Sequence, residues 1–170
     1  MVINSASVIN MTKVASLVLT ICLSIFSGAQ AQGTAPFQQL AGQWSGSGTI
    51  DLANGTHESI KCKASYDVLE ERNNLQLNIR CASDSYNFDL RGSATYAAGA
   101  IKGTWSESTR NAAGTISGTA NRDQFQIVAT GPSFSASMTL TVRADSQSVV
   151  IKSQDAKATL KSVSIAFQRS

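Results

Sequence analysis

The 170-residue chain is poor in the side chains on which most active sites depend. It has a single His, His57, beside the Asn54-Gly55 turn and in an exposed phase, so no Ser-His-Asp relay can be drawn and a metal cage would lack its commonest ligand. Three Cys are too few for a disulfide-dense scaffold. Charged residues make up 15% and the net charge is +3, too weak a bias to imply nucleic-acid binding, and aromatic and basic residues do not interleave as in a single-strand platform. No glycine-rich phosphate loop opens a helix, since residues 32–170 show no convincing 3.6-residue periodicity. Catalytic residues, metal, cofactor and nucleic acid are therefore not expected. The 42% apolar content does exclude a disordered or fibrous chain.

The one long apolar run, residues 14–27, is uncharged and preceded by Lys13. Ala29-Gln30-Ala31 follows with the small-x-small pattern accepted by signal peptidase. Residues 1–31 read as a secretory signal peptide, with Met11 an alternative start, and residues 32–170 as a single domain. The run is short for a bilayer span and has no successor, so no membrane span is expected after cleavage. Ile21 precedes Cys22 where a lipoprotein would carry a small residue, so Cys22 is read as part of the lost signal. The expected location is secreted or periplasmic.

Beyond residue 40 the pattern alternates with period 2 between turn signals, in ten segments. In the first, Trp44, Gly46, Gly48, Ile50 and Leu52 share a face; Asn54-Gly55 then marks a hairpin. Folding the next hairpin about residues 70–73 opposes Val68 to Leu75, Tyr66 to Leu77, Ala64 to Ile79 and Cys62 to Cys81. Opposed Cys on one face can approach within disulfide reach, and export permits the bond. The pattern runs on through Tyr86, Phe88 and Leu90 to Val163, Ile165 and Phe167. Residues 32–41 are compatible with a short helical turn. Pro36 and Pro132 both fall outside the segments, as a sheet requires.

Ten hairpin-linked strands with one apolar face each must close or fold over to hide that face. The expected fold is all-β, an up-and-down antiparallel barrel of about ten strands; a sandwich would need longer crossovers than any here. Leu40-Ala41-Gly42-Gln43-Trp44 resembles the Gly-x-Trp signature of the calycin superfamily, which includes lipocalins, fatty-acid-binding proteins, avidins and nitrobindin-like proteins. The resemblance implies that Gly42 and Trp44 close one barrel end with an Arg of the last strand, here Arg169, stacked on the indole. Departures are plain: no His stands where nitrobindin-like proteins bind haem, and two Trp are too few for an avidin-like biotin site. The same opening resembles small secreted protease inhibitors built on an eight-stranded barrel with one disulfide, though this chain is longer.

Small inward residues such as Gly46, Gly48, Gly103 and Gly118 admit two readings: an unfilled interior, or bends that close the barrel. On the first, Tyr66, Tyr86, Phe88, Tyr96, Trp105, Phe125, Phe134 and Met138 line a cavity for a small, mostly apolar ligand, with Glu107 as a polar contact. Two rivals remain. One is a binding or inhibitor module that meets an envelope or host protein through its barrel-end loops. The other is an enzyme using the inward-phase carboxylates Glu58 and Glu107, which as rim residues could equally be solvated.

Overall fold

The computed structural model describes residues 35–69 and 73–170; the signal segment, Cys22 and the tip of the 70–73 turn lie outside the described residues. Ten strands run in chain order: β1 Gly42–Leu52, β2 His57–Leu69, β3 Asn74–Ala82, β4 Asn87–Ala97, β5 Ala100–Glu107, β6 Ala112–Asn121, β7 Gln124–Gly131, β8 Phe134–Arg143, β9 Ser146–Ser153 and β10 Leu160–Arg169. A 3-10 helix, Pro36–Leu40, precedes them where the sequence allowed a helical turn. Every strand pairs antiparallel with its sequence neighbours, and β1 pairs with β10, so the sheet is a closed barrel. Closure leaves no edge to template aggregation.

Local chemistry sets the turns. Ala98 and Gly99 both take positive φ, 49° and 85°, in the two-residue hairpin between β4 and β5. That geometry matches the twist of the flanking strands. At the first hairpin the Asn54 side-chain oxygen accepts hydrogen bonds from the Thr56 N–H and hydroxyl. The 70–73 fold-back keeps the register read from alternation, with Val68 opposite Leu75 and Cys62 opposite Cys81, and the two sulfurs are bonded.

The glycines answer one of the open questions. A Cβ at Gly48, Gly103 or Gly118 would run into a carbonyl oxygen of the adjoining strand, at Ser164, Ser93 and Gln126 respectively. These positions are small because backbones crowd there, so they do not mark empty interior. The buried core is the inward row of β1–β10 together with Phe37 and Leu40 of the 3-10 helix.

Candidate functional site

The two ends of the barrel differ. One end is sealed by the segment before β1. Phe37 stacks on Phe125 (centroids 6.2 Å apart) and meets Tyr96 edge-on at 6.3 Å. Trp44 is fully buried and its indole N–H donates to the Leu40 carbonyl at 2.8 Å. Arg169, opposite Trp44 in the β1–β10 ladder, lies 4.2 Å above the indole ring. Its guanidinium also donates to the carbonyls of Ala41 and Gln39 and to the Asp145 carboxylate. Gly42, at φ 113°, adopts a backbone that L side chains rarely take, and a Cβ there would meet Arg169 Nη1 at 3.2 Å. Gly42, Trp44 and Arg169 thus act together: the arginine caps the last carbonyls of the 3-10 helix and pins it over the barrel.

The other end is open. It carries the turns between β1 and β2, β3 and β4, β5 and β6, β7 and β8, and β9 and β10. Inward side chains toward it are only half-buried: Ile79, Tyr86, Phe88, Trp105, Met138 and Ile151. Phe134 is 44% exposed. Tyr86 and Phe88 stack at 6.1 Å, and the Trp105 ring meets Phe134 edge-on at 5.5 Å. Trp105 reaches across β6 to β7: its indole N–H points at the Thr130 carbonyl at 3.3 Å, and its ring covers Gly131.

Among the residues expected to line a cavity, the structure therefore separates two groups. Tyr86, Phe88, Trp105, Phe134 and Met138 belong to the open half. Tyr66 and Phe125 are fully buried in the sealed half, where Tyr96 packs against Phe37. Burial alone drives the Tyr66 phenol far above its ordinary range, so it stays neutral.

The two inward-phase carboxylates sit at the open rim, each held by a neighbouring turn. Glu107 is 7% exposed. It accepts from the N–H groups of Asp89, Thr109 and Arg110 and from the Thr109 hydroxyl, at 2.7–3.0 Å. Burial works to raise its pKa, but these hydrogen bonds outweigh it and hold the carboxyl below the usual 4.5. Glu58 accepts from the Ser85 N–H and the Ser83 hydroxyl, and hydrogen bonding by Ser85, its side chain first, and then by Ser83 holds its pKa below the ordinary value. Glu107 is engaged at both oxygens and Glu58 at Oε2, each by donors of a neighbouring loop. His57 pairs with Asp51 at 2.7 Å on the exposed surface. Asp51, held by the Ser162 hydroxyl and by His57, is shifted down. No cluster of three or more metal-ligating side chains occurs among the described residues.

Arg110 was not legible as a site residue. It lies over the Phe88 ring at 4.6 Å and the Tyr86 ring at 5.8 Å, 3.6 Å from Glu107, with a hydrogen bond to the Asn87 carbonyl. It occupies a turn, where alternation carries no signal. The hairpin register does carry one: opposing Leu90 to Glu107 brings the 108–111 turn beside residues 86–88.

Comparison with known proteins supports the fold. No protein-family model matches the chain, and no curated protein matches it in sequence. Several solved structures share its architecture, and two illustrate it. The S-type phycobiliprotein lyase CPES from Guillardia theta superposes with a TM-score of 0.59 and 13% identity, over 79% of this chain and 90% of that one. Rv2717c from M. tuberculosis gives 0.64 and 11%, over 81% and 98%. At these identities the likeness is one of architecture alone, a closed antiparallel barrel.

Proposed function

We propose that this is an exported calycin-like barrel that takes a small, mostly apolar ligand into its open half. One observation carries the reading: inward aromatic and thioether side chains at one end are left half-covered, while their counterparts at the other end are sealed. Uncovered apolar surface gathered at one barrel end is surface a guest would bury. Tyr86, Phe88, Trp105, Phe134 and Met138 would supply the wall, and Arg110, already stacked on two of the rings, a polar contact at the rim. Glu107 would position Arg110 and the 108–111 turn, with no bond to the ligand. The likeness to a lyase at 13% identity carries fold and no activity. Export rests on the charge-free run before Ala31 and accords with the Cys62–Cys81 bond, which needs an oxidising compartment.

The two tryptophans give the test. Trp44 lies in the sealed end and Trp105 in the open one. A dansyl-labelled undecanoic acid should bind with energy transfer that survives Trp44→Phe and is lost in Trp105→Phe. Absence of uptake at saturating probe, or transfer that follows Trp44, would remove this reading.

A further inference from the structure

The outer wall carries a second feature, which touches the proposed interior site at Trp105. Two shallow hollows of about 620 and 790 Å³, both largely open to solvent, lie across β2–β6 and meet at Gln76, Ser93 and Thr104, giving one shallow trough. Its floor follows from the register: outward residues Ser65, Asn78, Arg91 and Ser106 oppose one another on four successive strands, and Asp67, Gln76, Ser93 and Thr104 form the next row. These rows are mainly hydroxyls and carboxamides, groups that both donate and accept, and Leu69, Leu75, Leu77 and Trp105 border the hollows beside them. The Ser93 and Thr104 hydroxyls already bond at 3.1 Å, while the Asn78 Oδ1 is enclosed and accepts nothing from the described residues.

Cations follow the same wall diagonally. Lys63 faces Arg80, Arg91 lies one row on beside Asn78, and Lys102 two rows beyond that, beside Thr95. Among the described residues the acids on this face are Asp67 and Asp89, and Asp89 is engaged by Arg80 at 3.3 Å. Arg91 and Lys102 make no ion pair with the described residues.

We propose that this trough binds an extended, hydroxyl-rich polyanion, an acidic polysaccharide. Adjacent strands lie ~4.8 Å apart, so a chain laid across them meets a fresh set of donors at each strand. Arg91 and Lys102 would take carboxylates, Arg91 in bidentate fashion, and the Ser, Thr and carboxamide groups would take the sugar hydroxyls. A single-stranded nucleic acid would want several aromatic faces to stack on, and Trp105 is the one aromatic side chain bordering these hollows among the described residues.

The experiment is titration of the purified protein with a polygalacturonate fragment at low salt, with neutral dextran as control. Binding to polygalacturonate alone, falling as salt rises, is expected. Arg91→Ser should weaken it about tenfold, the loss of one charge-assisted contact. Arg91 is exposed, so the variant should melt like the parent. Lys152→Ser, an outward cation on β9, should leave binding unchanged. An equal loss from Lys152→Ser would reduce the effect to net charge and overturn the proposal. So would failure to bind, or tighter binding to single-stranded polythymidylate or to phosphatidylglycerol vesicles.

Discussion

Trp44 and Trp105 stand at opposite ends of one barrel and live in different solvents. Trp44 is 1% exposed, gives its indole N–H to a carbonyl of the chain before β1 and carries a guanidinium on its face. Trp105 is half-exposed, its N–H reaches a carbonyl at 3.3 Å, and its ring partner Phe134 is itself largely open to water. The difference does not come from the strands, which are continuous around the barrel. It comes from what lies across each end: Phe37 and Leu40 fill one, and turns ring the other. In the proposed function the first end is structure and the second is site, so the same substitution should have different consequences at the two.

The largest effect is expected at the sealed end. Trp44→Ala removes a buried ring, a hydrogen bond and the seat of Arg169, and should destabilise by about 3–5 kcal/mol in urea unfolding. Trp105→Ala should cost clearly less. Equal losses would mean that the open end is as much core as the other.

Next comes the disulfide, which bridges β2 and β3 across 19 residues. The double variant Cys62→Ser/Cys81→Ser should lose about 3 kcal/mol by chain-entropy arithmetic while keeping its far-ultraviolet spectrum. Reduction should lower Tm in parallel; an unchanged Tm would show that the bond contributes nothing.

The fold was legible because each strand hides one face only. Alternation gave the strand phases, Asn54-Gly55 and the 70–73 fold-back gave hairpins, and the opposition of Cys62 to Cys81 joined turn and register in one prediction. The sealed end was legible in part. Gly42, Trp44 and Arg169 came from the calycin resemblance, whereas Phe37 and Leu40 lie in five 3-10 residues too short to display a period. The open end was least legible. Alternation says that Tyr66 and Phe88 both face inward, and nothing in it says that one is sealed and the other uncovered, since that depends on height along the barrel. Glu107 read as a polar contact in a cavity because its donors come from Asp89 on the neighbouring strand and from its own turn. No periodicity reports backbone N–H groups converging on one carboxylate.

Glu107 supplies the third test, a smaller one. Glu107→Gln keeps the shape but weakens bonds to a charged acceptor, and should cost about 1–2 kcal/mol at neutral pH. The folded state holds this carboxyl below its ordinary 4.5, so the charge stabilises the fold above that pH. That contribution is lost as pH falls through the depressed folded value. The gap between parent and variant should therefore be widest near neutrality and close in acid. A gap independent of pH would assign the loss to packing.

The smallest effect is expected at the mouth, and it sharpens the contrast most. Phe134 is 44% exposed and meets Trp105 edge-on. Phe134→Ala gives up part of an already wet surface and one aromatic contact, about 1 kcal/mol or less. With the dansyl undecanoate present at saturation the arithmetic changes. A ligand that binds only the folded state stabilises it by RT times the logarithm of one plus the ratio of free ligand to Kd, and the ring that helps to hold it then adds to stability what it lacks in the free protein. The Tm difference between parent and Phe134→Ala should widen on adding probe, while the difference for Trp44→Ala, a residue remote from the guest, should stay constant. If both differences moved together, the probe would be reporting global softening, and the division into a sealed half and a receptive half would have no thermodynamic content.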